Sequence, residues 1–486
     1  MDWLPATIIP FLTASTAYIV LQWGIRLVML VVVPFRRSPS AAKAWLLLIF
    51  FQPLAGLALY IIFGRAIQPR WLQRRRKRWE SMFTTIVANI TTITKRRGFT
   101  LKHELPLQAT YLQRHFPVPP SGGNNAELIS GYDAFTSKLV QDINAATHHV
   151  HLLFYIFKND ATGRRVAHAL AQAAARGVTC RVLIDAIGSW PRNIRGLLRK
   201  SGVQVHSALP LSRKGFLTRA DLRNHRKIAV IDGLTAYTGS QNLCNPERRA
   251  GKNGKETAQK ELMVRLTGPS VLAMQAVFSA DWFLESEEVL DAPDYYPAPE
   301  KTRNAAIAQV LPSGPDYPGA RVDDLIITLI HNARSRVAVT TPYFIPSEPL
   351  LHALKSACKR GVEVHLITSA RTDSTLVLLA QRSYYAELMK AGIKLHIYQS
   401  SFLHAKHTSI DGIVTLIGSS NMDMRSFELN GEINLIIYDD DITAQTQQLE
   451  ATYIKQATTL SLSTWHARSL FLKLLENLAR LLSPLL

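Results

Sequence analysis

Cysteine and acidic residues are scarce in this 486-residue chain, and both shortages limit what it can be. It has three cysteines, and 36 Asp and Glu against 56 Lys and Arg. An odd number of scattered cysteines argues against a disulfide framework, and their spacing matches no metal site. The formal net charge of +20 predicts an anionic partner, either a nucleic acid or an acidic lipid surface. Composition alone leaves both partners open.

One stretch of the chain occurs twice. Both copies read His-x-Lys-x4-Asp followed by Gly-Ser-x-Asn, and every paired position is 179 residues apart. Such a repeat is very improbable by chance and predicts an internal duplication. The first copy contributes His225, Lys227, Asp232, Ser240 and Asn242, and the second contributes His404, Lys406, Asp411, Ser419 and Asn421.

Two long apolar runs open the chain. Residues 4–35 are almost wholly apolar, and residues 44–63 carry no charge over 20 positions, which is long enough for a helix to span a bilayer. The first run lacks the basic start of a signal peptide, so the two runs predict a transmembrane hairpin spanning residues 1–64. Basic residues crowd after the second run and predict a cytoplasmic location for the rest of the chain.

Strand and helix patterns alternate in the same order on both sides of a Pro-rich linker. This alternation predicts an α/β fold with mostly parallel strands and helices on both faces. We expect a basic helical connector at 65–125, a first half at 126–292, a linker at 293–306 and a second half at 307–463. Residues 464–486 form an apolar stripe on a C-terminal helix, which could pack on the body or contact a membrane.

The repeated motif has the chemistry of a phosphate site. Because side chains two apart share a strand face, each His projects with its Lys. If the halves pack face to face, two imidazoles and two ammonium groups share one cleft. Lysines and Asn amides can hold phosphate oxygens, while one His attacks phosphorus and the other protonates the leaving oxygen. The absence of a carboxylate cluster makes this a poor metal site, so no metal or cofactor is expected.

Four carboxylates accompany the histidines. Asp232 and Asp411 belong to the repeated motif, but their odd spacing from the lysines points them to the opposite strand face and indicates a structural turn cap. Glu261 and Glu432 each open the strand that follows a motif, where a carboxylate could orient an imidazole. The alternative for both is an ordinary surface carboxylate at a strand end.

The two motifs resemble those of the phospholipase D superfamily. The hairpin AWLLLIFFQPLAGLALYIIFG, the stretches NHRKIAVIDG, HAKHTSIDG and IGSSNMDMRSFELNGEIN, and the tail LLENLARLLSPLL extend the resemblance to its bacterial cardiolipin synthase branch. The resemblance implies two phospholipase D-type α/β/α halves around one active site. It also implies a multi-pass protein of the bacterial inner membrane that has anionic lipids rather than nucleic acid as partners.

The implied reaction transfers a phosphatidyl group between two phosphatidylglycerol molecules, giving cardiolipin and glycerol. By this resemblance His225 is the nucleophile and His404 the acid and then the base, with Lys227, Lys406, Asn242 and Asn421 on the phosphate and the two motif serines nearby. One departure stands out: Gln259-Lys260-Glu261 replaces the usual aromatic residue and Asp, so Glu261 is expected to reach His225 from one methylene further out.

Three rival functions use parts of the same pattern. A nuclease would account for the motifs and the charge but not for the apolar runs. A phospholipase D hydrolase, or a phosphatidyltransferase with another donor or acceptor, differs from the synthase only in its lipid and acceptor. A non-enzymatic membrane scaffold would make two intact catalytic sets incidental.

Overall fold

A computed structural model gives the architecture of the chain. It describes residues 8–64, 70–96, 118–190, 194–210, 212–213, 216–217, 221–246, 248–250, 256–300, 306–317 and 319–485. The basic residue Arg65 and the start of the Pro-rich loop at residue 117 lie outside the described residues.

Three apolar helices begin the described chain: α1 (Ile8–Val32), α2 (Pro39–Phe51) and α3 (Pro53–Phe63). The expectation of one continuous helix over 44–63 was wrong, because the helix stops at Gln52, whose backbone has φ −137° and ψ 82°. Pro53 explains the break, since a proline disfavours helical geometry in the residue before it and suits the first position of a new helix. Among the described helices, none has both the length and the hydropathy needed to cross a bilayer.

Helices α2 and α3 form a closed hairpin. The Arg37 guanidinium, just before α2, donates to the Gly64 carbonyl at 3.0 Å and to the Phe63 carbonyl at 3.3 Å, which joins the two open ends. Near the turn the helices touch, because a Cβ added at Gly56 would lie 2.7 Å from the Ile49 Cα. The start of α2 and the end of α3 therefore lie next to each other, opposite the turn at Gln52.

A long basic helix, α4 (Arg70–Arg96), follows and lies against the first half. Its buried face carries Trp79, Phe83, Ile86 and Ile90, and the Trp79 ring centre lies 5.5 Å from that of Phe283. Over residues 70–96 the predicted connector is therefore an amphipathic helix packed on the α/β body, whereas its last residues belong to the strand Ser121–Ile129.

The first half begins at Ser121, five residues before the predicted boundary; strands and helices alternate as predicted as far as Ala208, and among the described residues only strands follow from there to Thr267. Its elements are β1 (Ser121–Ile129), α5 (Tyr132–Ala145), β2 (His149–Phe154), α6 (Ala161–Ala175), β3 (Thr179–Asp185), α7 (Arg195–Lys200), β4 (Gln204–Ala208), β5 (Ser212–Arg213), β6 (Phe216–Leu217), β7 (Lys227–Ile231), β8 (Thr235–Gly239), β9 (Arg248–Ala250), β10 (Glu256–Ala258), β11 (Met263–Thr267) and α8 (Ser270–Ser286).

The second half repeats this order after a short 3-10 turn at Pro293–Tyr295. Its elements are β12 (Ala306–Ser313), α9 (Val322–Asn332), β13 (Arg336–Thr340), β14 (Phe344–Ile345), α10 (Glu348–Lys359), β15 (Glu363–Ser369), α11 (Thr375–Ser383), α12 (Tyr385–Lys390), β16 (Lys394–Tyr398), β17 (His407–Ile410), β18 (Val414–Gly418), β19 (Met422–Asp423), α13 (Met424–Glu428), β20 (Glu432–Tyr438), α14 (Asp440–Lys455), β21 (Ala457–Thr459), α15 (Leu462–His466), α16 (Leu470–Arg480) and a final 3-10 turn at Ser483–Leu485.

One 15-stranded sheet runs through both halves, in the order β21-β16-β15-β13-β17-β18-β20-β12-β1-β11-β8-β7-β2-β3-β4. Read outward from the β12–β1 junction, the two sides repeat one another strand for strand, apart from the extra β21. The junction itself is antiparallel and pairs Ser121 with Ala308. The predicted duplication is thus confirmed as two α/β halves related by a pseudo-twofold axis.

The expectation of mostly parallel strands was wrong: in this sheet the pairings β2–β3, β3–β4, β13–β15 and β15–β16 are parallel, and the others are antiparallel. Short turns join consecutive strands such as β7 and β8, and such turns connect antiparallel neighbours.

Candidate active site

Each motif histidine lies just before its strand and is tied to the other half by backbone bonds. The His225 amide donates to the Gly431 carbonyl at 2.8 Å, and the His404 amide donates to the Lys260 carbonyl at 2.8 Å. In both cases the acceptor immediately precedes one of the two predicted orienting glutamates. The backbone therefore brings each histidine beside the glutamate of the opposite half.

The two histidine–glutamate pairs cross between the halves. The His225 Nδ1 atom lies 3.0 Å from both carboxylate oxygens of Glu432, and the His404 Nδ1 atom lies 2.8 Å from one oxygen of Glu261. The expected contact of Glu261 with His225 was therefore wrong. Both glutamates were correctly chosen from the sequence, but each belongs to the other histidine.

The motif serines hold these carboxylates in place. The Ser240 hydroxyl donates to Glu261 and the Ser419 hydroxyl donates to Glu432. Each serine also accepts a bond from the residue after its glutamate, at 2.9 Å in both halves. With their hydroxyls committed in this way, the serines contact the orienting carboxylates, whereas the sequence placed them beside the phosphate.

The carboxylates are ionised and the imidazoles neutral at neutral pH. Burial raises the pKa of Glu261, but His404 and Lys406 outweigh it and bring the pKa to about 2. Burial lowers the pKa of His225 to about 4, with Lys227 adding to the effect and Glu432 opposing it. Because a carboxylate only accepts, each Nδ1 is the donor, and each Nε2 keeps a lone pair for chemistry.

Two buried lysines accompany the histidines. The Lys227 ammonium donates to the His225 carbonyl at 2.7 Å, and the Lys406 ammonium donates to the His404 carbonyl at 2.6 Å. Burial lowers the pKa of Lys227 to about 7 and that of Lys406 to about 8, although the orienting glutamates oppose this shift. Lys406 also lowers the pKa of His225, and Lys227 lowers the pKa of His404. The two histidines and the two lysines therefore share one electrostatic environment.

The motif aspartates face away from this cleft, as the odd spacing predicted. Asp232 accepts backbone bonds from Thr147, His148 and His149, and Asp411 accepts them from residues 334–336. Both have a φ of +53° at the turn before their glycine. These aspartates fasten the loop that leads into β2 or β13.

The two predicted phosphate-binding amides are nearly buried. The Asn242 side-chain oxygen accepts from the Ile156 amide at 3.1 Å, which leaves the amide nitrogen as its donor. Within the described part of the chain, the side-chain oxygen of Asn421 has no hydrogen-bond partner. The Asn242 amide nitrogen can therefore donate to an incoming oxygen, and the Asn421 side chain still has an unused polar atom.

Several residues near the histidines were not singled out from the sequence. The Tyr155 ring lies edge-on to the His225 ring, with centres 4.9 Å apart. The Asp185 carboxylate accepts from the backbone N–H of Asn224 at 3.1 Å and pairs with the Arg223 guanidinium at 3.4 Å. At the equivalent place in the second half, Ser369 accepts from the Leu403 amide at 3.2 Å. The duplication could have revealed Asp185 from the sequence, because an alignment of the two halves places it opposite Ser369.

Arg226 crosses between the halves directly beside the motif histidine. Its side chain is fully buried and pairs with Asp281 at 2.7 Å and 2.9 Å. It also donates to the carbonyls of Glu432 at 3.0 Å and Ser313 at 2.8 Å. Arg226 thus fixes the backbone of the glutamate that holds His225, while Ala405 stands at the matching place.

Comparison with known proteins places this geometry in a family. The family model described as "Cardiolipin synthase, PLD-like domain" matches residues 139–282 and 326–452, which is more than half of the chain. The chain belongs to the cardiolipin synthase family. A second model, "Phospholipase_D-nuclease N-terminal", matches residues 25–65 of this family member. The resemblance read from the two motifs is confirmed.

Full-length relatives support the same family. Cardiolipin synthase A of Serratia proteamaculans is 34% identical over 461 residues, covering 93% of this chain and 94% of the relative. Cardiolipin synthase A of Erwinia tasmaniensis is 34% identical over 464 residues with the same coverage. Phosphatidylserine synthase from Haemophilus influenzae shares the fold, with a TM-score of 0.58 at 15% identity over 74% of this chain and 95% of that chain.

Proposed function

We propose that the chain is a cardiolipin synthase that joins two phosphatidylglycerol molecules through a phosphatidyl-histidine. The observation that carries the proposal is the pair of crossed histidine–glutamate contacts, with one buried lysine beside each histidine. Family membership makes the enzyme a phosphatidyltransferase of the phospholipase D superfamily. Its full-length relatives bear the name cardiolipin synthase A.

In the first step, the His225 Nε2 lone pair attacks the phosphorus of one phosphatidylglycerol. A P–N bond forms and the P–O bond to the headgroup glycerol breaks, while His404 gives a proton to the departing oxygen. His404 must hold that proton first, and the anionic phosphate favours this by offsetting the positive lysines. Glu261 stabilises the resulting imidazolium, as a buried carboxylate does beside a catalytic histidine.

In the second step, a headgroup hydroxyl of another phosphatidylglycerol attacks the same phosphorus. His404, now neutral, takes the hydroxyl proton; the P–N bond breaks and His225 leaves as a neutral imidazole. The products are cardiolipin and the glycerol released earlier. Lys227 and Lys406 supply positive charge to the phosphate oxygens in both steps, and Asn242 and Asn421 supply hydrogen bonds.

Membrane attachment through α1–α3 is part of this proposal. These helices and the turn between α1 and α2 expose many large apolar side chains, among them Trp23 at 53%, Phe35 at 87% and Phe51 at 75%. Exposed apolar surface on this scale marks an interaction site. We place the helices in the bacterial inner membrane and the two catalytic halves on its cytoplasmic side, as the basic residues of α4 suggest.

The test is turnover of phosphatidylglycerol labelled in its headgroup glycerol by the detergent-solubilised full chain. Cardiolipin and labelled free glycerol are expected in equal amounts, with and without a chelator. Phosphatidic acid in place of cardiolipin would identify a hydrolase, and loss of activity with chelator would contradict the metal-free mechanism. A phosphatidyl adduct trapped on His404 but not on His225 would reverse the roles of the two histidines.

A further inference from the structure

The C-terminal helix α16 is folded against the body with its polar side inward. Glu476 is 2% exposed and Ala479 is 5% exposed. The apolar stripe expected from the sequence points outward: Leu470 is 81% exposed, Phe471 70% and Leu474 56%. A helix that merely packed on a soluble body would bury this stripe. The sequence left two alternatives for this tail, packing on the body or contact with a membrane. The polar face of the helix packs on the body, and the apolar face remains available to contact another surface.

Ion pairs keep the helix in this orientation. Glu476 accepts from Arg468 at 2.6 Å and 3.0 Å, and from Arg382 at 2.9 Å. Arg480 pairs with Glu387 at 3.3 Å. Because Glu476 is buried and fully paired, rotating the helix to hide its leucines would leave three charges without partners.

A basic pocket of about 560 Å³ opens on one flank of the same helix, between α10, α11, α12, α15 and α16. Two carboxylates, Glu387 and Glu476, lie among its lining residues. Six cationic side chains line it: Lys355, Lys359, Arg382, Lys390, Arg468 and Lys473. Even with both carboxylates ionised, the pocket has a surplus of positive charge and suits an anion.

Three of these cations are not neutralised by a carboxylate of the protein. Within the described part of the chain, Lys359, Lys390 and Lys473 pair with no carboxylate; Lys473 donates to a backbone carbonyl at 2.7 Å, and Lys359 and Lys390 are exposed. Trp465 closes one wall of the pocket with the Arg468 guanidinium over its ring, 3.2 Å from the ring centre. A tryptophan beside basic groups and an apolar stripe is typical of the boundary between headgroups and acyl chains.

The apolar stripe is continuous with the N-terminal helices. Leu485, in the final turn after α16, packs against the cluster formed by α1, α2 and α3, which includes Trp45 and Tyr60. An apolar surface thus extends from the proposed membrane attachment to the edge of the basic pocket. The occupant that matches both the charge of the pocket and the apolar stripe is a lipid.

We propose that this pocket is a second phospholipid site, outside the catalytic cleft, for the headgroup phosphate of an anionic membrane lipid. The lipid's acyl chains lie along Leu470, Leu474 and Leu478 in the bilayer. None of the catalytic histidines, lysines or glutamates lines the pocket. The site therefore binds lipid without transferring it, and holds the second half against an anionic membrane surface.

The test is photolabelling of the full chain in phosphatidylcholine nanodiscs, with His225→Ala and His404→Ala present to prevent turnover. A photoactivatable phosphatidylglycerol is expected to label the segment around Trp465 and α16, located by mass spectrometry. Lys359→Glu with Lys390→Glu should reduce this labelling roughly fivefold or more. Lys200→Glu with Lys455→Glu, which makes the same charge change at two exposed lysines elsewhere, should leave it unchanged.

Three outcomes would overturn the proposal. One is equal labelling by a photoactivatable phosphatidylcholine, and another is labelling that survives the Lys359 and Lys390 reversal in protein with an unchanged melting temperature. The third is displacement by inorganic phosphate but not by unlabelled phosphatidylglycerol, which would indicate a site for a free anion. Because the protein used is catalytically inactive, the result does not depend on the proposed reaction.

Discussion

At the scale of single residues, the two halves of the site are alike in their contacts and unlike in their surroundings. Both histidines meet a buried glutamate through Nδ1, and both lysines donate to the carbonyl of their own histidine. Around His225, however, lie Tyr155, a charged Asp185–Arg223 pair and Arg226. The first copy is therefore held by more charged groups than the second.

The crossed pairing predicts which glutamate controls which histidine. Glu432→Gln should change the reactivity of His225 towards diethylpyrocarbonate and leave that of His404 unchanged, and Glu261→Gln should do the opposite. Peptide mass spectrometry measures both rates. Each substitution is expected to lower kcat by about 10²- to 10⁴-fold, the usual contribution of an acid–base group. An effect of Glu432→Gln on His404 alone would refute the pairing.

The lysine pKa values predict the alkaline limb of the pH profile. Since burial lowers the pKa of Lys227 to about 7 and of Lys406 to about 8, both are charged below these values and lose charge as the pH rises through them. Loss of these charges should therefore add a further fall in the free enzyme's kcat/KM between about pH 7 and 8, above the fall caused by deprotonation of His404, whose pKa burial lowers.

On the acid side, kcat/KM should fall as the pH approaches the His225 pKa of about 4, where the nucleophile becomes protonated. Lys227→Arg is the matched variant for the alkaline limb, because a guanidinium stays charged. It should move that limb up towards the Lys406 pKa of about 8. An alkaline limb unchanged by this substitution would assign the limb to another group.

The residues of the site were largely predictable, whereas their partners were not. Identical spacing in two copies identifies His225, Lys227, His404 and Lys406 as one constellation, because exact repeats require a common geometry. The sequence is symmetric, however, so it gives each glutamate equal claim to either histidine. The choice depends on how the halves face one another, through the β1–β12 junction and the bonds at Gly431 and Lys260.

At the scale of elements, the α2–α3 hairpin shows one proline deciding against the pattern of the whole apolar run. The uncharged run of 20 residues favoured a single span, although Pro53 already indicated a break. The broken geometry makes Gly56 essential, since it is the point where the two helices touch.

Alanine at Gly56 is therefore expected to destabilise the protein, because its Cβ would lie 2.7 Å from the Ile49 Cα. Forcing a methyl group into such a contact costs about 1–3 kcal/mol. Gly24→Ala in α1 is the control: a Cβ there meets nothing within 4 Å, and alanine favours a helix. Thermal unfolding in mild detergent should show a lower Tm for Gly56→Ala and an equal or higher Tm for Gly24→Ala. Equal losses would contradict the close approach.

At the scale of the whole molecule, one sheet and one buried arginine hold the halves together. Arg226→Met leaves Asp281 buried without its partner, so it should lower the free energy of unfolding by about 3–5 kcal/mol. Arg226→Met with Asp281→Asn should recover part of this loss. Arg165→Met, which removes an exposed arginine 3.7 Å from Asp133, should cost at most about 1 kcal/mol. Denaturant titration of the solubilised protein measures all three, and a similar cost at Arg226 and Arg165 would disprove the role of Arg226.

The crossed glutamates also order events during synthesis. His225 leaves the ribosome well before Glu432 does, so the growing chain carries a first histidine that has not yet met its glutamate. Glu261 likewise has no histidine to contact until His404 has been translated. A partial product that already contains His404 and Glu261 still lacks Glu432, so the pair that orients His225 is completed last. Both histidine–glutamate pairs are therefore complete only when nearly the whole chain has been translated and the halves have closed on each other.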